Sequence, residues 1–269
     1  MGEERREEPL RGVIFDLGGT LMRADGYWEA FLEPGLAALE GYAAARLDAA
    51  AARALRDTFG RIWRATWQTY QHGEREVTAE ELLARALREA GLERVAGSAG
   101  FSPGEALDAF FEPELLGWRP LPGAVEVLRA LRAEGLHVGL VSNASRHRFV
   151  QQEVERLGFA PYLDPVVSSA GFGLRKPAPA IFQHVARRWR LRPGEVAVVG
   201  DLLPADVEGA RRAGMRAVWL TQVPNAWNEP YVGRVLPDAT AATLADVLRL
   251  LRRWRTAPEA EREEAAGGA

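Results

Sequence analysis

The chain has 269 residues, of which 47% are hydrophobic and 26% are charged, and its formal net charge is −3. These proportions are those of a globular protein with a sizeable core. They show neither a basic surface for nucleic acid nor a lysine and arginine cluster for an anionic membrane. Because the chain has no cysteine, disulfides, thiolate metal sites and a cysteine nucleophile are excluded.

The first residues are charged, and no apolar run approaches the roughly 18 residues of a membrane span. We therefore expect a cytoplasmic protein that has no membrane or nucleic-acid partner. Residues 1–10 and the acidic, alanine- and glycine-rich residues 256–269 are expected to be disordered. The oligomeric state cannot be predicted from the sequence.

The first predicted element is the apolar run Gly12-Val-Ile-Phe15, which is followed by Asp16-Leu-Gly-Gly-Thr20. This pattern predicts a buried strand that ends in a glycine-rich turn. Residues 26–115 are rich in alanine, arginine, leucine and tryptophan and contain no convincing strand, so we expect four or five helices there. One helix begins at the capping box Thr78-Ala-Glu-Glu81 and ends at Gly91.

After residue 120 the pattern changes to alternating strands and helices. Apolar strands are predicted at 136–141, 165–168, 195–200 and 217–220, and amphipathic helices at 123–134, 146–157, 179–189, 206–213 and 244–254. Repeated strand–helix units indicate an α/β fold, with a doubly wound parallel sheet and helices on both faces. The helical residues 26–115 are inserted into this core domain, which comprises residues 11–25 and 116–255.

Polar side chains follow three of the predicted strands. Asp16 ends the first strand, Ser142 and Asn143 end the second, and Asp201 ends a later one. Ligands of open α/β sheets bind beyond the carboxyl ends of the strands, so we expect these side chains to meet at one edge with Lys176, whose loop can reach it. Two carboxylates, a hydroxyl and an ammonium suit a magnesium ion and a phosphate.

Lys176 is the only lysine beside 33 arginines. In such a composition arginine fills the ordinary surface positions, and lysine is most informative where a guanidinium cannot serve. A compact ammonium can sit among several oxygens, whereas the planar guanidinium cannot. We therefore predict a functional role for Lys176. The alternative is one remaining surface lysine.

Four segments, in this order, resemble motifs of the haloacid dehalogenase (HAD) superfamily. They are Val13-Ile-Phe-Asp16-Leu-Gly-Gly-Thr20-Leu, Leu140-Val-Ser142-Asn143, Lys176-Pro-Ala-Pro-Ala-Ile-Phe182 and Val198-Val-Gly-Asp201-Leu-Leu-Pro-Ala-Asp206. The resemblance implies a Rossmann-like core domain, and it makes residues 26–115 an α-helical cap domain inserted after the first motif. It also implies a hydrolase that acts on a small phosphorylated metabolite through a phosphorylated aspartate, with Mg²⁺ as cofactor.

The resemblance gives each motif residue an expected role. Asp16 is the nucleophile, and Lys176 holds Asp16 ionised while it binds the phosphate. Ser142 and Lys176 bind phosphate oxygens through their side chains, and backbone N–H groups around Gly18, Gly19 and Asn143 add to the phosphate site.

The same resemblance implies a metal site. Asp16, the backbone carbonyl oxygen of Gly18 and Asp201 would hold Mg²⁺, and Asp206 would support the ion directly or through water. Independently of this, Asp201, Asp206 and Ser142 are residue types that cap helices. The four histidines do not cluster in the sequence, so we expect no histidine metal site.

Gly18 is the main departure from the family pattern. Family phosphatases usually carry a second aspartate at this position, which donates a proton to the leaving group and then accepts one from water. Asp25, Glu29 and His72 are weak candidates to replace it. Trp63, Trp67 and Tyr70 share one helix face, and we expect them in the cap core rather than as a substrate platform.

Gly18 leaves two other functions open. The dehalogenases of the superfamily also lack this second aspartate, so a metal-independent 2-haloacid dehalogenase is one alternative. A catalytically impaired protein that binds a phosphorylated ligand, with a regulatory role, is the other. Asp201, with Asp206 five residues later, favours the phosphatase because a dehalogenase needs no cation site.

Overall fold

The computed structural model describes residues 8–24, 29–69, 73–95 and 100–255. Its eight strands are, in chain order, β1 (Gly12–Phe15), β2 (Met22–Ala24), β3 (Trp118–Pro120), β4 (His137–Ser142), β5 (Val166–Ser168), β6 (Val196–Gly200), β7 (Arg216–Leu220) and β8 (Ala239–Ala241). Six of them form one parallel sheet in the order β5-β4-β1-β6-β7-β8, and β2 pairs with β3 in a separate antiparallel ribbon.

Among the described residues, ten α-helices cover the sheet or lie in the insertion. They are α1 (Glu29–Ala44), α2 (Ala49–Thr69), α3 (Ala79–Glu89), α4 (Pro103–Gly117), α5 (Ala124–Ala133), α6 (His147–Arg156), α7 (Ser169–Phe172), α8 (Pro179–Trp189), α9 (Glu208–Arg212) and α10 (Leu244–Arg255). Short 3₁₀ turns span Glu93–Val95, Ala160–Tyr162, Pro193–Glu195 and Ala226–Tyr231, and a π-helical turn spans Leu203–Val207. No described helix is long and apolar enough to cross a bilayer.

Strand β1 lies at the centre of the sheet and sets the position of the site. All four of its residues are buried, as expected for a parallel strand covered by helices on both faces. Phe15 pairs with Leu140 of β4 on one side and with Val199 of β6 on the other. This register brings the residues that follow β1, β4 and β6 to one edge of the sheet.

The insertion consists of α1–α4 and is joined to the core by the β2–β3 ribbon. The predicted fold class, an α/β core with an inserted helical cap, is therefore confirmed. Helices α1 and α4 pack on one another along their lengths and form the centre of the cap with α2. The domain limits predicted at residues 26 and 115 stay predictions; β2 and β3 flank the four helices.

Helix α3 shows how the cap is fixed to the core. Its capping box is present as predicted: the Thr78 hydroxyl accepts the N–H of Glu81 (3.1 Å), and the Glu81 carboxylate accepts that of Thr78 (2.9 Å). The next N–H, of Ala79, donates to the carbonyl oxygen of Ser145 in the loop after β4 (2.8 Å). The start of a cap helix is thus hydrogen-bonded to a loop at the carboxyl edge of the sheet.

Two predictions about the chain's course need correction. Leu10 is buried, and its N–H donates to the carbonyl oxygen of Trp254, so the ordered core begins before the predicted limit at residue 11. The helix predicted at 206–213 is divided in two: a π-helical turn spans Leu203–Val207, and α9 follows it over Glu208–Arg212. Residues 1–7 and 256–269, which were expected to be disordered, lie outside the described residues.

Candidate active site

Three predicted site residues meet at the carboxyl edge of the sheet. Asp16 follows β1, Ser142 ends β4, and Asp201 follows β6. Their exposed fractions are 7%, 6% and 3%, so they form the floor of a cavity rather than an open surface. This convergence follows from the parallel register, since neighbouring strands end at the same edge.

Lys176 lies among oxygen atoms at the centre of this floor. Its ammonium Nζ donates to Asp16 Oδ1 (2.5 Å), to Asp206 Oδ1 (2.6 Å) and to the carbonyl oxygen of Val141 (3.0 Å). Burial alone would lower the pKa of Lys176, but the two carboxylates outweigh it and raise the pKa above its usual range. The lysine therefore stays charged, and the alternative of a surface lysine is wrong because only 4% of it is exposed.

Asn143 holds the loop that carries Lys176. Its Oδ1 accepts the backbone N–H of Lys176 (2.8 Å), and its Nδ2 donates to the backbone carbonyl oxygen of the same residue (3.1 Å). The amide side chain thus makes the pair of hydrogen bonds to the Lys176 backbone that a neighbouring strand would otherwise make. It fixes the backbone of this residue, and with it the point at which the ammonium group enters the site. The prediction that Asn143 contributes to phosphate binding through its backbone stays a prediction.

The carboxyl groups of Asp16, Asp201 and Asp206 form a compact acidic cluster, with one oxygen of each within 4.8 Å of the others. Burial raises the pKa of Asp201, and the negative charges of Asp16 and Asp206 raise it further. Burial and Asp16 likewise raise the pKa of Asp206, against the lowering effect of Lys176. Three buried carboxyls beside one lysine leave an excess of negative charge, which a divalent cation fits.

The two carboxyls that follow β6 differ in how they are bonded. Asp206 accepts the Lys176 ammonium at Oδ1 and the backbone N–H of Leu202 at Oδ2 (3.0 Å), so both of its oxygens are engaged. Asp201 accepts hydrogen bonds from two neutral side chains, Thr20 Oγ1 at 3.5 Å and Asn225 Nδ2 at 3.1 Å, and none from the Lys176 ammonium. Asp201 is therefore the better placed of the two to bind a cation directly.

Residues in β7 and in the segment after it also support the site, and they were not predicted from the sequence. Asn228 Nδ2 and Trp219 Nε1 both donate to the backbone carbonyl oxygen of Asp201, at 2.8 and 3.0 Å. Asn225 contacts its carboxylate. The rule that ligands bind beyond the ends of parallel strands, applied to β7 as well, would have indicated the asparagines that follow it.

Gly19 and Gly18 have different reasons to be glycine. Gly19 has a φ of +78°, and a Cβ there would lie 2.5 Å from Asp201 Oδ2, so any side chain would displace that carboxylate. Its N–H donates to the carbonyl oxygen of Met22 (2.7 Å), a bond with which a phosphate oxygen would have to compete. Gly18 has no left-handed φ, and a Cβ there would meet only the Trp118 ring, at 3.5 Å.

A cavity of about 310 Å³ lies above the floor, between the core and the cap. Cap helices and the β2–β3 ribbon form one wall of this cavity, the cap-side wall, which is largely aromatic and apolar. It consists of Met22, Ala24, Trp63, Trp67, Phe111 and Trp118. Trp63 is 4% exposed and packs on Phe110, so the prediction that it belongs to the cap core is confirmed, although it also reaches the cavity. Tyr70 lies outside the described residues.

The charged residues of the cavity wall include one carboxyl from the cap, Glu114 of α4. Its Oε1 accepts a hydrogen bond from Trp118 Nε1 (3.4 Å). Burial raises the pKa of Glu114 to about 7; the bond from Trp118 lowers it, and the charge of Glu153 raises it. Arg23 and Arg146 also line the cavity. Asp25 and His72 lie outside the described residues, and so does the Glu29 side chain.

The comparisons with known proteins agree with this geometry. A family model described as haloacid dehalogenase-like hydrolase matches residues 10–214. The phosphoserine phosphatase of Thermus thermophilus is 31% identical over 229 residues, which cover 78% of this chain and 88% of that protein. The pyrimidine 5′-nucleotidase YjjG of Escherichia coli is 28% identical over 69% of this chain and 77% of that protein.

Other relatives match over shorter segments. The glyceraldehyde 3-phosphate phosphatase of Methanopyrus kandleri is 31% identical over 55% of this chain, and the match covers 63% of that protein, less than two thirds of its length. Among solved structures, the 2-haloacid dehalogenase of Pseudomonas syringae has a TM-score of 0.61 at 28% identity, covering 91% of this chain and 99% of that one. The family model spans most of the chain, and the relatives include phosphatases of small metabolites. The chain therefore belongs to the haloacid dehalogenase-like hydrolase family.

Proposed function

We propose that the protein is a Mg²⁺-dependent phosphatase of a small phosphorylated metabolite and that Asp16 is its nucleophile. The observation that carries the proposal is the acidic cluster of Asp16, Asp201 and Asp206 beside a charged, buried Lys176. A 2-haloacid dehalogenase needs no metal ion, so the cation site that Asp201 and Asp206 would form favours the phosphatase. The phosphatase names of several relatives support the same choice.

The residues of the floor would divide the work as follows. Asp16, the carbonyl oxygen of Gly18 and Asp201 would hold the ion, and Asp206 would act through water and through Lys176, because both of its carboxylate oxygens are engaged. The bound ion would neutralise charge on the transferring phosphoryl group.

The phosphate would lie between Lys176 and Ser142. Lys176 already contacts Asp16 at 2.5 Å and so aligns its carboxylate while it attracts the phosphate oxygens. The Ser142 hydroxyl and the backbone N–H groups around Gly19 and Asn143 would donate to the remaining phosphate oxygens. The cavity volume of about 310 Å³ is in the range of small-molecule sites.

A screen of phosphate monoesters and 2-haloacids, each with Mg²⁺ and with EDTA, tests this function. We expect phosphate release from at least one ester, which stops with EDTA and in Asp201→Ala at low Mg²⁺. The second candidate is a 2-haloacid dehalogenase, which the similarity to the Pseudomonas syringae structure favours. Metal-independent halide release would establish it. A protein that binds phosphate but turns over no ester would instead be the impaired, ligand-binding form.

A further inference from the structure

The reaction needs a proton donor that Gly18 cannot provide. In an in-line displacement the leaving oxygen departs on the side opposite the nucleophile, so it points away from Asp16 and toward the cap-side wall of the cavity. A donor must therefore reach into the cavity from that wall. Of the described lining residues, the acids are Asp16, Glu114 and Asp201, and two of these belong to the floor.

The Trp118 ring lies between Gly18, the position of the missing aspartate, and Glu114. A Cβ at Gly18 would lie 3.5 Å from Cη2 and 3.9 Å from Cζ3 of the Trp118 ring. The opposite side of the same indole carries Nε1, which donates to Glu114 Oε1 at 3.4 Å. One indole ring thus separates the position of the missing aspartate from a carboxyl group. The backbone contributes as well, since β3, which begins at Trp118, pairs with β2 beside the first motif.

We propose that Glu114 of the cap is the general acid and general base of this site, in place of an aspartate at position 18. The inference rests on the proposed phosphatase function. Glu114 reaches the cavity from α4, four residues before Trp118, and it is the lining carboxyl that neither Lys176 nor the acidic cluster engages.

The proton balance closes with this one residue. In the first half-reaction an Asp16 oxygen bonds to phosphorus, the bond from phosphorus to the ester oxygen breaks, and that oxygen takes the proton of the Glu114 carboxylic acid and leaves as an alcohol. In the second, water attacks phosphorus and gives a proton to the Glu114 carboxylate while the Asp16–phosphorus bond breaks. Phosphate leaves, and both residues return to their starting states.

The electrostatic surroundings suit a group that both gives and takes a proton. The pKa of Glu114, raised to about 7 mainly by burial, lies near the operating pH, where general acid–base catalysis is most effective. The charged groups of the elements around it include Arg23 of β2, Arg119 of β3, and Glu153 and Arg156 of α6. Arg156 donates to Glu153 and to the Trp118 carbonyl oxygen, so it compensates Glu153 rather than Glu114.

The leaving-group dependence of kcat tests the proposal. Benzyl phosphate and p-nitrophenyl phosphate carry organic groups of similar size, but only the benzyl alkoxide needs a proton to leave. With Mg²⁺, Glu114→Gln should lower kcat on benzyl phosphate by about 10²-fold and change kcat on p-nitrophenyl phosphate by much less. It should also remove the limb near pH 7 from the kcat/KM profile on benzyl phosphate.

A rescue variant and a control complete the experiment. Adding Gly18→Asp to Glu114→Gln should restore turnover of benzyl phosphate. Glu112 is an exposed glutamate on the same helix, and Glu112→Gln should change kcat on neither ester. If Glu114→Gln does not fold, Trp118→Phe, which removes the hydrogen bond to Glu114, should shift the pH limb instead.

Two results would overturn the inference, and they are distinguishable. An equal loss on both esters, or no loss on either, would make Glu114 a structural or substrate-binding residue while the phosphatase function stands. If the wild type hydrolyses neither these esters nor any other phosphate monoester with Mg²⁺, the proposed function itself fails, and the inference fails with it.

Discussion

The floor and the cap-side wall of the cavity are built in opposite ways. The floor consists of charged groups from the ends of parallel strands, tied by bonds of 2.5 to 3.0 Å around Lys176. The wall consists of aromatic rings from two cap helices and the ribbon, with Glu114 among them. In the proposed phosphatase, the floor would activate the phosphate of any ester, whereas the wall would determine which substrate fits and how the leaving group is protonated.

This difference suggests where variation would be tolerated. A change in the floor alters the charge balance of several buried groups at once, because Asp16 and Asp206 are both bonded to Lys176. A change in the wall alters the space available to the substrate and the protonation equilibrium of Glu114. We therefore expect floor variants to lose activity on all substrates and wall variants to lose it selectively.

The largest effect is expected for Asp16→Asn. The amide is a poor nucleophile at phosphorus, so phosphatase activity should fall by roughly 10⁴-fold or more on every ester, while the fold is kept. Steady-state kinetics on p-nitrophenyl phosphate and circular dichroism measure the two properties. Substantial activity in a pure sample would exclude Asp16 as the nucleophile.

Lys176→Arg should rank second and should not preserve function. A planar guanidinium cannot occupy the position of one ammonium among three acceptors at 2.5 to 3.0 Å, so kcat should fall by roughly 10²-fold or more. Lys176→Met removes the charge altogether and should cost about 3–5 kcal/mol of unfolding free energy at neutral pH. Near wild-type kcat in the arginine variant would contradict the account of the floor.

Gly18→Asp should produce a gain in the Glu114→Gln background. The backbone has no left-handed φ at this position, and a Cβ would be in ordinary contact with Trp118, so the side chain can be accommodated. In the Glu114→Gln background we expect kcat on alkyl phosphates to rise by up to about 10²-fold and kcat on p-nitrophenyl phosphate to rise less. In the wild-type background, where Glu114 already supplies the proton, the gain should be small. A folded double variant with no gain on alkyl phosphates would contradict the role proposed for Glu114.

The smallest effect concerns the pH dependence of the unfolding free energy and Glu153 of helix α6. Burial raises the pKa of Glu153 to about 7, from its usual 4.5, although Arg156 bonds to it. The folded state therefore binds more protons than the unfolded state in this range, and the unfolding free energy falls as the pH rises from about 4.5 to 7. Glu153→Gln should remove up to about 3 kcal/mol of this pH dependence.

Urea unfolding at pH 5 and pH 8 measures the effect, and Glu155→Gln, an exposed glutamate of the same helix, is the matched control. The account of Glu153 fails if the two variants show the same pH dependence as the wild type.

The core was largely predictable from the sequence, and the wall was not. Apolar runs that end in Asp16, Ser142 and Asp201 identify both the strands and the edge at which they meet, because parallel pairing fixes the register. Helix α3 was equally clear from the capping box at Thr78. These are local patterns, and parallel packing alone brings them together.

The wall depends on tertiary packing that no local pattern records. The helical spacing of Trp63 and Trp67 predicts that they share an apolar face. It does not predict that this face also reaches the cavity. The β2–β3 ribbon has three residues in each strand, too short for a pattern of its own, and Trp118 takes its place beside Gly18 only through it. Glu114 could have been suspected only from its position one helical turn before Trp118.

The most direct test of the central claim is to trap the phosphoryl group on Asp16. A single turnover with a radiolabelled phosphate monoester and Mg²⁺, quenched in acid, should leave label on the peptide that contains Asp16, and hydroxylamine should release it as expected of an acyl phosphate. The label should be absent in Asp16→Asn and in EDTA. Label on another residue, or turnover of the ester with no labelled enzyme, would contradict the account.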